Sequence, residues 1–568
     1  MQYQPENKNC QNCKQDFTVE PEDFNFYEKI KVPPPTFCPE CRNVQRFATR
    51  NSKSLYKRKC DLCKKSVISR FSETNPAKMY CSSCWWGDTW DPLDLGMEYD
   101  FNQDFFSQFH KLLFAVPHVS LLNSNMVESD YANMESDDKR CYLVFGGLSN
   151  EDCAFSEYSI AGKEVYDAYW VSKSEQCYEV INVERCYRTF YSQNCYDCFD
   201  TYASYDCRNC SNIIGCAGLR NKSYCIFNKQ YSKEEYSEIK KNLNFGSREN
   251  VNDLLKDSRK TWLSFPHKDT FVTHSVDCSG NEIVNSKNSK NVWQVDSIED
   301  CKNIYIADWN KSCYDETSTG NNELAYMCAS GGGLYNCIVV LYSFGSDMEN
   351  KKNSFNCYYS YSILNCRDCF GCVGLRNKQY CILNRQYEKD EYFAMLDKIK
   401  TQMMELPFTS KISGQTFSYG DFFPSEHSLF AYNETVATDF YPKDKGQSLS
   451  EGFVWRVETE TQYEFSDYGI PDDIKDVDDS ILSKILKCKQ TGKGYKITAS
   501  ELSFYRKLNI PIPLISPLAR IKDRVSTLTP FKIYNRSCGK CGVGIKTSYS
   551  ADRPEIVYCE KCYQQEVY

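Results

Sequence analysis

The chain has little histidine and no recognisable catalytic motif, and both absences narrow its possible functions. Only five of its 568 residues are His, and none of the five lies in a His-Glu-x-x-His pattern. The sequence also lacks a Gly-rich loop followed by Lys and Ser or Thr, and it lacks Gly-x-Ser-x-Gly. These absences argue against a P-loop nucleotide site, an α/β-hydrolase and a zinc protease.

Long apolar segments are absent as well. No window of about 18 apolar residues is present, and the first residues lack the charged and apolar regions of a secretory signal. We therefore predict a cytoplasmic protein with no membrane partner. Because a reducing cytoplasm disfavours disulfides, the 33 cysteines are expected to be metal ligands, buried small side chains or reactive thiols.

The charge of the chain is unevenly distributed. Its net charge is −8, yet residues 1–90 contain 15 Lys and Arg against 10 Asp and Glu, and residues 501–568 contain 11 against 6. Both ends are therefore basic, and the region between them is acidic. Composition otherwise matches a folded protein, with 41% hydrophobic and 25% charged residues.

The sequence contains three sets of cysteines, and each set consists of two Cys-x-x-Cys pairs at the spacing of a zinc site. The pairs of a set are separated by 24, 17 and 17 residues, and the last two values are typical of zinc sites. Two such pairs aim four sulfurs at one point, which predicts three structural Zn²⁺ ions with no open coordination position. The predicted ligands are Cys10, Cys13, Cys38, Cys41, Cys60, Cys63, Cys81, Cys84, Cys538, Cys541, Cys559 and Cys562.

The alternative for each set is a group of buried free thiols or a redox pair. The second and third sets argue against this alternative, because their surroundings repeat at a constant offset of 478 residues. Tyr80 and Trp85 of the second set, for example, correspond to Tyr558 and Tyr563 of the third.

The most basic segment of the chain runs from the first set into the second. Asp61 is the only acid in residues 42–70, a pattern that favours contact with a nucleic-acid backbone. The alternatives are a solvated linker or a strip that docks on the acidic body. The residues predicted to contact nucleic acid are Arg42, Arg46, Arg50, Lys53, Lys57, Arg58 and Lys59.

From about residue 141 the cysteines recur at intervals of nine, as at Cys177, Cys186 and Cys195. Short runs of Tyr, Val, Ile and Phe, interrupted by Asn, Ser, Asp and Gly, predict a parallel β-solenoid. We expect its cysteines to be core residues rather than metal ligands. Residues 218–226 and 374–382 are nearly identical, which indicates two blocks. A helix is predicted to cap each block. The helix after the first block begins with a capping box of Ser232 and Glu235, and the helix after the second block is predicted at 390–403.

The predicted fold is therefore mainly β, with N- and C-terminal four-cysteine zinc ribbons around a duplicated parallel β-solenoid-like repeat body with capping helices. Further helices are predicted at 478–486 and 499–508. The predicted domains are zinc ribbon 1 (1–45), zinc ribbon 2 (46–95), a helical connector (96–140), solenoid block 1 with its cap helix (141–258), solenoid block 2 with its cap helix (270–405), an aromatic loop-rich and helical segment (406–530) and zinc ribbon 3 (531–568).

The complete layout resembles a group of zinc-ribbon-flanked, Cys- and Tyr-rich repeat proteins of candidate-phyla bacteria. The resemblance covers most of the chain and implies no assigned activity. It is carried by the cysteines of 60–84 with the following Trp85-Trp86-Gly87-Asp88, by the two Gly-Leu-Arg-Asn-Lys units, and by residues 501–509.

These features predict a non-enzymatic, zinc-binding scaffold or binding protein that contacts nucleic acid or protein and has no nucleotide cofactor. One alternative is a carbohydrate-active enzyme with a solenoid cleft, which needs two carboxylates about 5–10 Å apart. The other is a thiol redox protein that uses Cys195 and Cys198, or Cys366 and Cys369. It needs an exposed thiol of low pKa.

Overall fold

A computed structural model describes residues 3–344, 353–457 and 463–567. Strands account for 31% of the chain and helices for 24%. The chain divides into two compact units. The N-unit consists of residues 1–121 and 270–457, and the C-unit consists of residues 122–269 and 458–568. Each unit therefore combines two segments that are distant in sequence.

A large sheet runs through each unit, and its strands pair in parallel until the last one, which is antiparallel. Over most of each sheet a residue pairs with the residue twelve positions further on, as Val165 pairs with Cys177. In the N-unit the spacing is eleven between Val272 and Ile283 and twenty between Ile338 and Tyr358. The strands of the C-unit sheet are Tyr142–Phe145, Ala154–Ile160, Lys163–Ser172, Glu175–Glu184, Tyr187–Phe190, Gln193–Tyr196, Phe199–Tyr202, Ser211–Ile214, Ser223–Ile226 and Lys229–Gln230. Those of the N-unit sheet are Val272–Thr273, Gly280–Val284, Val292–Asp296, Lys302–Asp308, Tyr314–Gly320, Ala329–Gly332, Leu334–Tyr335, Ile338–Leu341, Ser354–Tyr361, Arg367–Phe370, Gln379–Ile382 and Arg385–Gln386.

A period of three residues underlies both sheets. Every third residue from Asn150 to Cys216 is buried, and the residue before each one has a positive φ angle. The same relation holds from Ile283 to Cys328 in the N-unit. Two extended residues followed by a left-handed one bend the chain, and Asn and Asp are frequent at the bend because they tolerate that conformation. The nine-residue spacing of the cysteines is a multiple of this shorter period.

Small polar side chains inside the sheets complete the hydrogen bonding of the backbone. The N–H of Cys198 donates to Sγ of Cys186 (3.3 Å), and the N–H of Cys186 donates to Oγ of Ser174 (3.0 Å). The Cys186 thiol in turn donates to the carbonyl oxygen of Cys195 (3.4 Å). Cysteines from Cys141 to Cys225 are buried, and so are those from Cys301 to Cys381. The prediction that the body cysteines are core residues is confirmed for these positions, whereas Cys278 is partly exposed.

Outward-facing aromatic residues form a second layer, because every twelfth residue lies on the same line. In the C-unit this line includes Tyr166, Tyr178 and Phe190, and a helix packs on it with the ring of Phe504 stacked on Tyr166 at 3.9 Å. The N-unit repeats the contact. There the ring of Phe26 stacks on Tyr314 at 3.9 Å.

The remaining elements flank the sheets, and no helix in the described residues is both long and apolar enough to cross a bilayer. The helices of the N-unit are Pro21–Ile30, Pro39–Phe47, Ser82–Trp86, Phe105–Ala115, Lys389–Glu405, Ala437–Phe440 and Lys445–Ser450, with 3₁₀ turns at Pro92–Leu95, Ser425–His427 and Tyr432–Glu434. Those of the C-unit are Lys233–Asn242, Arg248–Ser264, Ala499–Leu508, Pro517–Ser526 and Glu560–Val567, with 3₁₀ turns at Ile474–Asp476 and Asp479–Ser483.

Short strands complete both units. In the N-unit they are Glu6–Asn9, Asp16–Val19, Tyr56–Lys59, Ser66–Ser69, Met79–Tyr80, His118–Val119, Phe408–Thr409 and Thr416–Phe417. In the C-unit they are Asn123–Ser124, Glu135–Ser136, His267–Lys268, Leu486–Lys487, Gly494–Tyr495, Tyr534–Ser537, Gly544–Thr547 and Val557–Tyr558.

Several predicted elements are confirmed and two are not. The helix Ala499–Leu508 and the capping box of Ser232 and Glu235 are present as predicted. The predicted helix at 478–486 is wrong, because Asp478 caps a 3₁₀ turn that ends at Ser483, and Leu486 already belongs to a hairpin. The predicted helical connector 96–140 is helical mainly at Phe105–Ala115, and parallel pairing begins at Asn123.

Candidate metal centres

Three groups of four cysteines could each hold one metal ion. Within each group the four Sγ atoms lie within 4.8 Å of one another. Sulfur–sulfur distances are 3.7 Å for Cys13 and Cys38, 3.8 Å for Cys63 and Cys81, and 3.9 Å for Cys541 and Cys559. A regular tetrahedron with metal–sulfur bonds of about 2.3 Å has edges of about 3.8 Å. The three groups are group 1 (Cys10, Cys13, Cys38, Cys41), group 2 (Cys60, Cys63, Cys81, Cys84) and group 3 (Cys538, Cys541, Cys559, Cys562).

A hairpin turn and the start of a helix build each group. In group 1 the turn after Glu6–Asn9 carries the first two cysteines, and Cys38 is the N-cap of the helix Pro39–Phe47. The backbone closes the turn through hydrogen bonds from Cys10 N to Gln15 O (2.9 Å) and from Lys14 N to Cys10 O (3.0 Å). Lys14 has φ of 59°, and the equivalent Lys64 and Gly542 are also left-handed. Groups 2 and 3 therefore repeat the same backbone turn, which we call a knuckle.

Backbone N–H groups point at some of the sulfurs and favour the thiolate form there, whereas the neighbouring Cys81 thiol raises the pKa of Cys84 and desolvation raises that of Cys562. Cys38 N donates to Cys10 Sγ, and Cys81 N donates to Cys60 Sγ, both at 3.2 Å. Although burial opposes it, the Ser83 hydroxyl and the N–H of Cys84 lower the pKa of Cys81 to about 6. Against a similar effect of burial, the N–H groups of Cys541 and Cys559 lower the pKa of Cys538 to about 6. Thiolates are the form of cysteine that binds metal.

The body cysteines do not form comparable groups. Neighbouring thiols, those of Cys357 and Cys366 foremost, lower the pKa of Cys369 inside the N-unit sheet. Even so, among the described residues only groups 1, 2 and 3 bring three or more potential ligands within 4.8 Å of one another. The thiols proposed for redox chemistry, Cys195 with Cys198 and Cys366 with Cys369, are all buried.

The arginines of the basic strip point into the N-unit. Arg42 forms an ion pair with Asp315 at 2.9 Å, and Arg46 donates to the Thr317 hydroxyl at 3.0 Å. Their side chains are 3% and 0% exposed. Arg50 is also buried and donates to the Ser330 hydroxyl at 3.2 Å. These three arginines therefore dock the chain on the sheet, and they are not accessible to a phosphate backbone.

The rest of the strip divides between structural contacts and free surface. Lys53 pairs with Asp439 at 2.6 Å, and Arg58 donates to the backbone carbonyl oxygens of Ser72, Asn75 and Ala77. The exposed lysines of the group 2 hairpin are Lys57, Lys59, Lys64 and Lys65.

Two further knuckles lack a complete cysteine set, and the sequence motifs did not reveal either one. At Cys488 the bonds Cys488 N to Lys493 O (2.9 Å) and Gly492 N to Cys488 O (2.9 Å) repeat those of group 1. At Ser410 the equivalent bonds run from Ser410 N to Gln415 O and from Gly414 N to Ser410 O. The offset of 478 could have revealed the knuckle at Cys488, because it relates Cys10 to Cys488. The same offset places Thr491, Ser516 and Ala519 at the positions of the other three ligands.

The same offset relates the docking arginines of the two units. Arg520 and Arg524 of the C-unit pair with Asp167 at 2.8 and 3.0 Å, as Arg42 and Arg46 pair with Asp315 in the N-unit. A helix that begins beside a knuckle therefore docks on a sheet in both units, whether or not four cysteines are present.

No protein-family model matches the chain, and no curated protein shows significant similarity to it.

Proposed function

We propose that the chain is a non-enzymatic, zinc-binding scaffold or binding protein in which groups 1, 2 and 3 each hold one structural Zn²⁺ ion. The observation that carries this proposal is the closed arrangement of four cysteine sulfurs in each group. Zn²⁺ prefers tetrahedral thiolate coordination, and four protein ligands leave no position for a water or a substrate. A structural role follows from that closure.

Elemental analysis of purified protein tests the metal assignment. We expect three zinc ions per chain, and two for Cys60→Ser. The matched control is Cys488→Ser, which removes the single cysteine of an incomplete knuckle and should leave three. A zinc content near zero in protein produced with adequate zinc, or another metal bound at three per chain, would contradict the assignment.

We further propose that each large sheet is part of a β-solenoid. Parallel pairing at twelve residues over most of each sheet, with four triplets between paired residues, supports one coil of four short sides. Solenoids present long, regular surfaces, and such surfaces suit a binding or scaffold role. A cytoplasmic location fits the 33 cysteines, which are all free thiols in the structure.

A protein is the partner class that we favour, because three arginines of the basic strip are buried. Nucleic acid is the second candidate, supported by the four exposed lysines of the group 2 hairpin. A pull-down from the native host with and without nuclease separates the two. If nucleic acid is the partner, binding should fall steeply with salt and weaken when Lys57, Lys59, Lys64 and Lys65 are changed together to Gln. If a protein is the partner, nuclease should leave the captured set unchanged.

A further inference from the structure

The N-unit contains an open cleft of about 690 Å³ that lies apart from the cysteine sulfurs. This volume falls within the range of small-molecule sites. One wall is the segment after group 2, which includes Trp86 and Trp90, and the other is a bend of the sheet at Leu364 and Arg376. Leu364 and Arg376 are partners in the parallel pairing, so the second wall belongs to the rigid sheet.

The first wall contains two tryptophans beside its aspartates. The guanidinium carbon of Arg376 lies 5.1 Å from the ring centre of Trp85, 5.7 Å from that of Trp86 and 5.6 Å from that of Trp90. These cation–π contacts hold the arginine against the wall. Trp85 is buried, whereas Trp86 is 38% exposed and presents a flat apolar surface to the cleft.

The C-unit shows what a closed version of this site looks like. Arg220, at the position equivalent to Arg376, pairs with Asp206 at 3.1 Å and donates to the Tyr563 hydroxyl at 3.2 Å, and its side chain is 7% exposed. In the N-unit, Ser362 and Trp85 stand at the positions of Asp206 and Tyr563. Among the described residues, no carboxylate lies within ion-pair distance of Arg376. Its N–H groups are therefore available to a ligand.

The charges of the cleft favour a neutral ligand. Asp88, Asp91 and Asp94 line it together with Arg376 and Lys378, and Lys378 pairs with Asp91 at 3.2 Å. A cation would meet the two basic side chains, and an anion would meet the free carboxylates. A molecule with one apolar face and many hydroxyl groups can stack on an indole and hydrogen bond to both kinds of side chain.

We propose that this cleft binds a neutral carbohydrate, with one sugar ring stacked on Trp86 and hydroxyl groups bonded to Asp88, Asp94 and Arg376. The site is separate from the proposed metal sites. Its occupancy does not depend on whether the partner of the chain is protein or nucleic acid.

Isothermal titration with cellotriose, maltotriose and triacetylchitotriose, each up to 10 mM, tests the proposal. At least one should bind with a Kd below about 5 mM, and the affinity should not change between 50 and 500 mM NaCl, because the ligand is uncharged. Trp86→Ala should weaken binding at least tenfold. Trp309→Ala, which removes another exposed tryptophan of the same unit, should leave it unchanged.

Thr89→Trp provides a second variant, because Thr89 is exposed and a large side chain there fills the cleft without disturbing the core. It should abolish sugar binding at unchanged melting temperature. The proposal is overturned if none of the three sugars binds, if both cleft variants bind as the parent does, or if tetramethylammonium or acetate binds instead in a salt-dependent manner.

Discussion

Cysteine inside the two sheets does more than fill a narrow space. An inward-facing residue has a backbone N–H that needs an acceptor, and the side chain twelve residues earlier supplies it, as Cys186 does for Cys198. Ser174 supplies the same acceptor for Cys186. A small side chain with an acceptor atom therefore suits these positions better than alanine, since a buried N–H left without a partner is costly.

This bonding predicts how Cys186 responds to substitution. Cys186→Ser keeps the acceptor and should change the free energy of unfolding by less than about 0.5 kcal/mol. Cys186→Ala leaves the N–H of Cys198 without that acceptor and should cost about 1–3 kcal/mol. Cys186→Leu should cost at least as much, because overpacking forces strain. Urea unfolding of the three variants measures the order, and an alanine variant as stable as the serine variant would contradict it.

Two buried histidines occupy equivalent positions in the two units. His118 and His267 each start a short strand that pairs with the segment before the last two cysteines of a group. Burial lowers the pKa of His118 to about 3 and that of His267 to about 4. Nε2 of each ring lies within hydrogen-bond distance of a backbone carbonyl oxygen, that of Leu113 at 2.7 Å and that of Trp262 at 3.1 Å. Both rings are therefore neutral in the folded protein.

Stability should fall in acid for this reason. The unfolded chain protonates its histidines near pH 6.5 and the folded chain does not, so stability is lost as the pH falls below that value. The loss should reach about 2 kcal/mol for each histidine at pH 5. Comparing His118→Asn with the parent at pH 7.5 and pH 5 isolates this contribution from acid release of metal, which affects both proteins. An equal loss of stability in variant and parent would exclude the effect.

Helices that begin beside a knuckle carry the arginines that dock on the sheet of each unit. Arg42 and Arg46 are one turn apart on Pro39–Phe47, so both reach Asp315. Arg520 and Arg524 occupy the same places on Pro517–Ser526. Cys38 caps the first helix, while Ser516 stands at the equivalent position of the second.

Removing the shared carboxylate should therefore destabilise each unit, and the N-unit more strongly. Asp315→Asn leaves two buried arginines without a counter-charge, which should cost about 3–5 kcal/mol. Asp167→Asn should cost less in the C-unit, because Arg520 still pairs with Glu501 at 3.3 Å and Arg524 with Glu179 at 3.2 Å. Thermal unfolding of both variants checks this, with Asp88→Asn as an exposed control that should shift the melting temperature little. A small effect of Asp315→Asn would contradict the prediction and would mean that water solvates Arg42 and Arg46.

The whole chain consists of two related units, each assembled from segments far apart in sequence. The N-terminal groups 1 and 2 belong with the later sheet, and the C-terminal group 3 belongs with the earlier one. Metal binding contributes to folding free energy only where the ligands converge. The loss of the ligands of one group should therefore destabilise only the unit that contains that group.

Hydrogen exchange can show this separation. Cys60→Ser should accelerate exchange in residues 1–121 and 270–457, and the equivalent Cys538→Ser should accelerate it in residues 122–269 and 463–567. Each variant serves as the control for the other. Accelerated exchange that follows sequence neighbours, so that Cys60→Ser affects 122–269 first, would contradict the division into these two units.

Local spacing was sufficient to predict which cysteines converge in groups 1, 2 and 3, the helix at 499–508, the capping box at Ser232 and the burial of the body cysteines. Each of these depends on residues close together in the chain, where sequence distance fixes spatial distance. The period of three was visible in the sequence as its multiple of nine rather than directly, because the inward position alternates among Cys, Ser, Val and Ala. The nucleic-acid prediction, in contrast, relied on charge alone, and charge does not reveal which side chains are buried.

Long-range packing decided the rest. Nothing near Arg42 in sequence indicates that Asp315, 273 residues away, is its partner. The knuckles at Ser410 and Cys488 keep their backbone hydrogen bonds without a full set of cysteines, so no motif marks them. The cleft beside Trp86 exists because a loop after group 2 meets one bend of the sheet. The amino-acid order specifies each contact surface, but which surfaces meet depends on the summed packing energy of residues hundreds of positions apart.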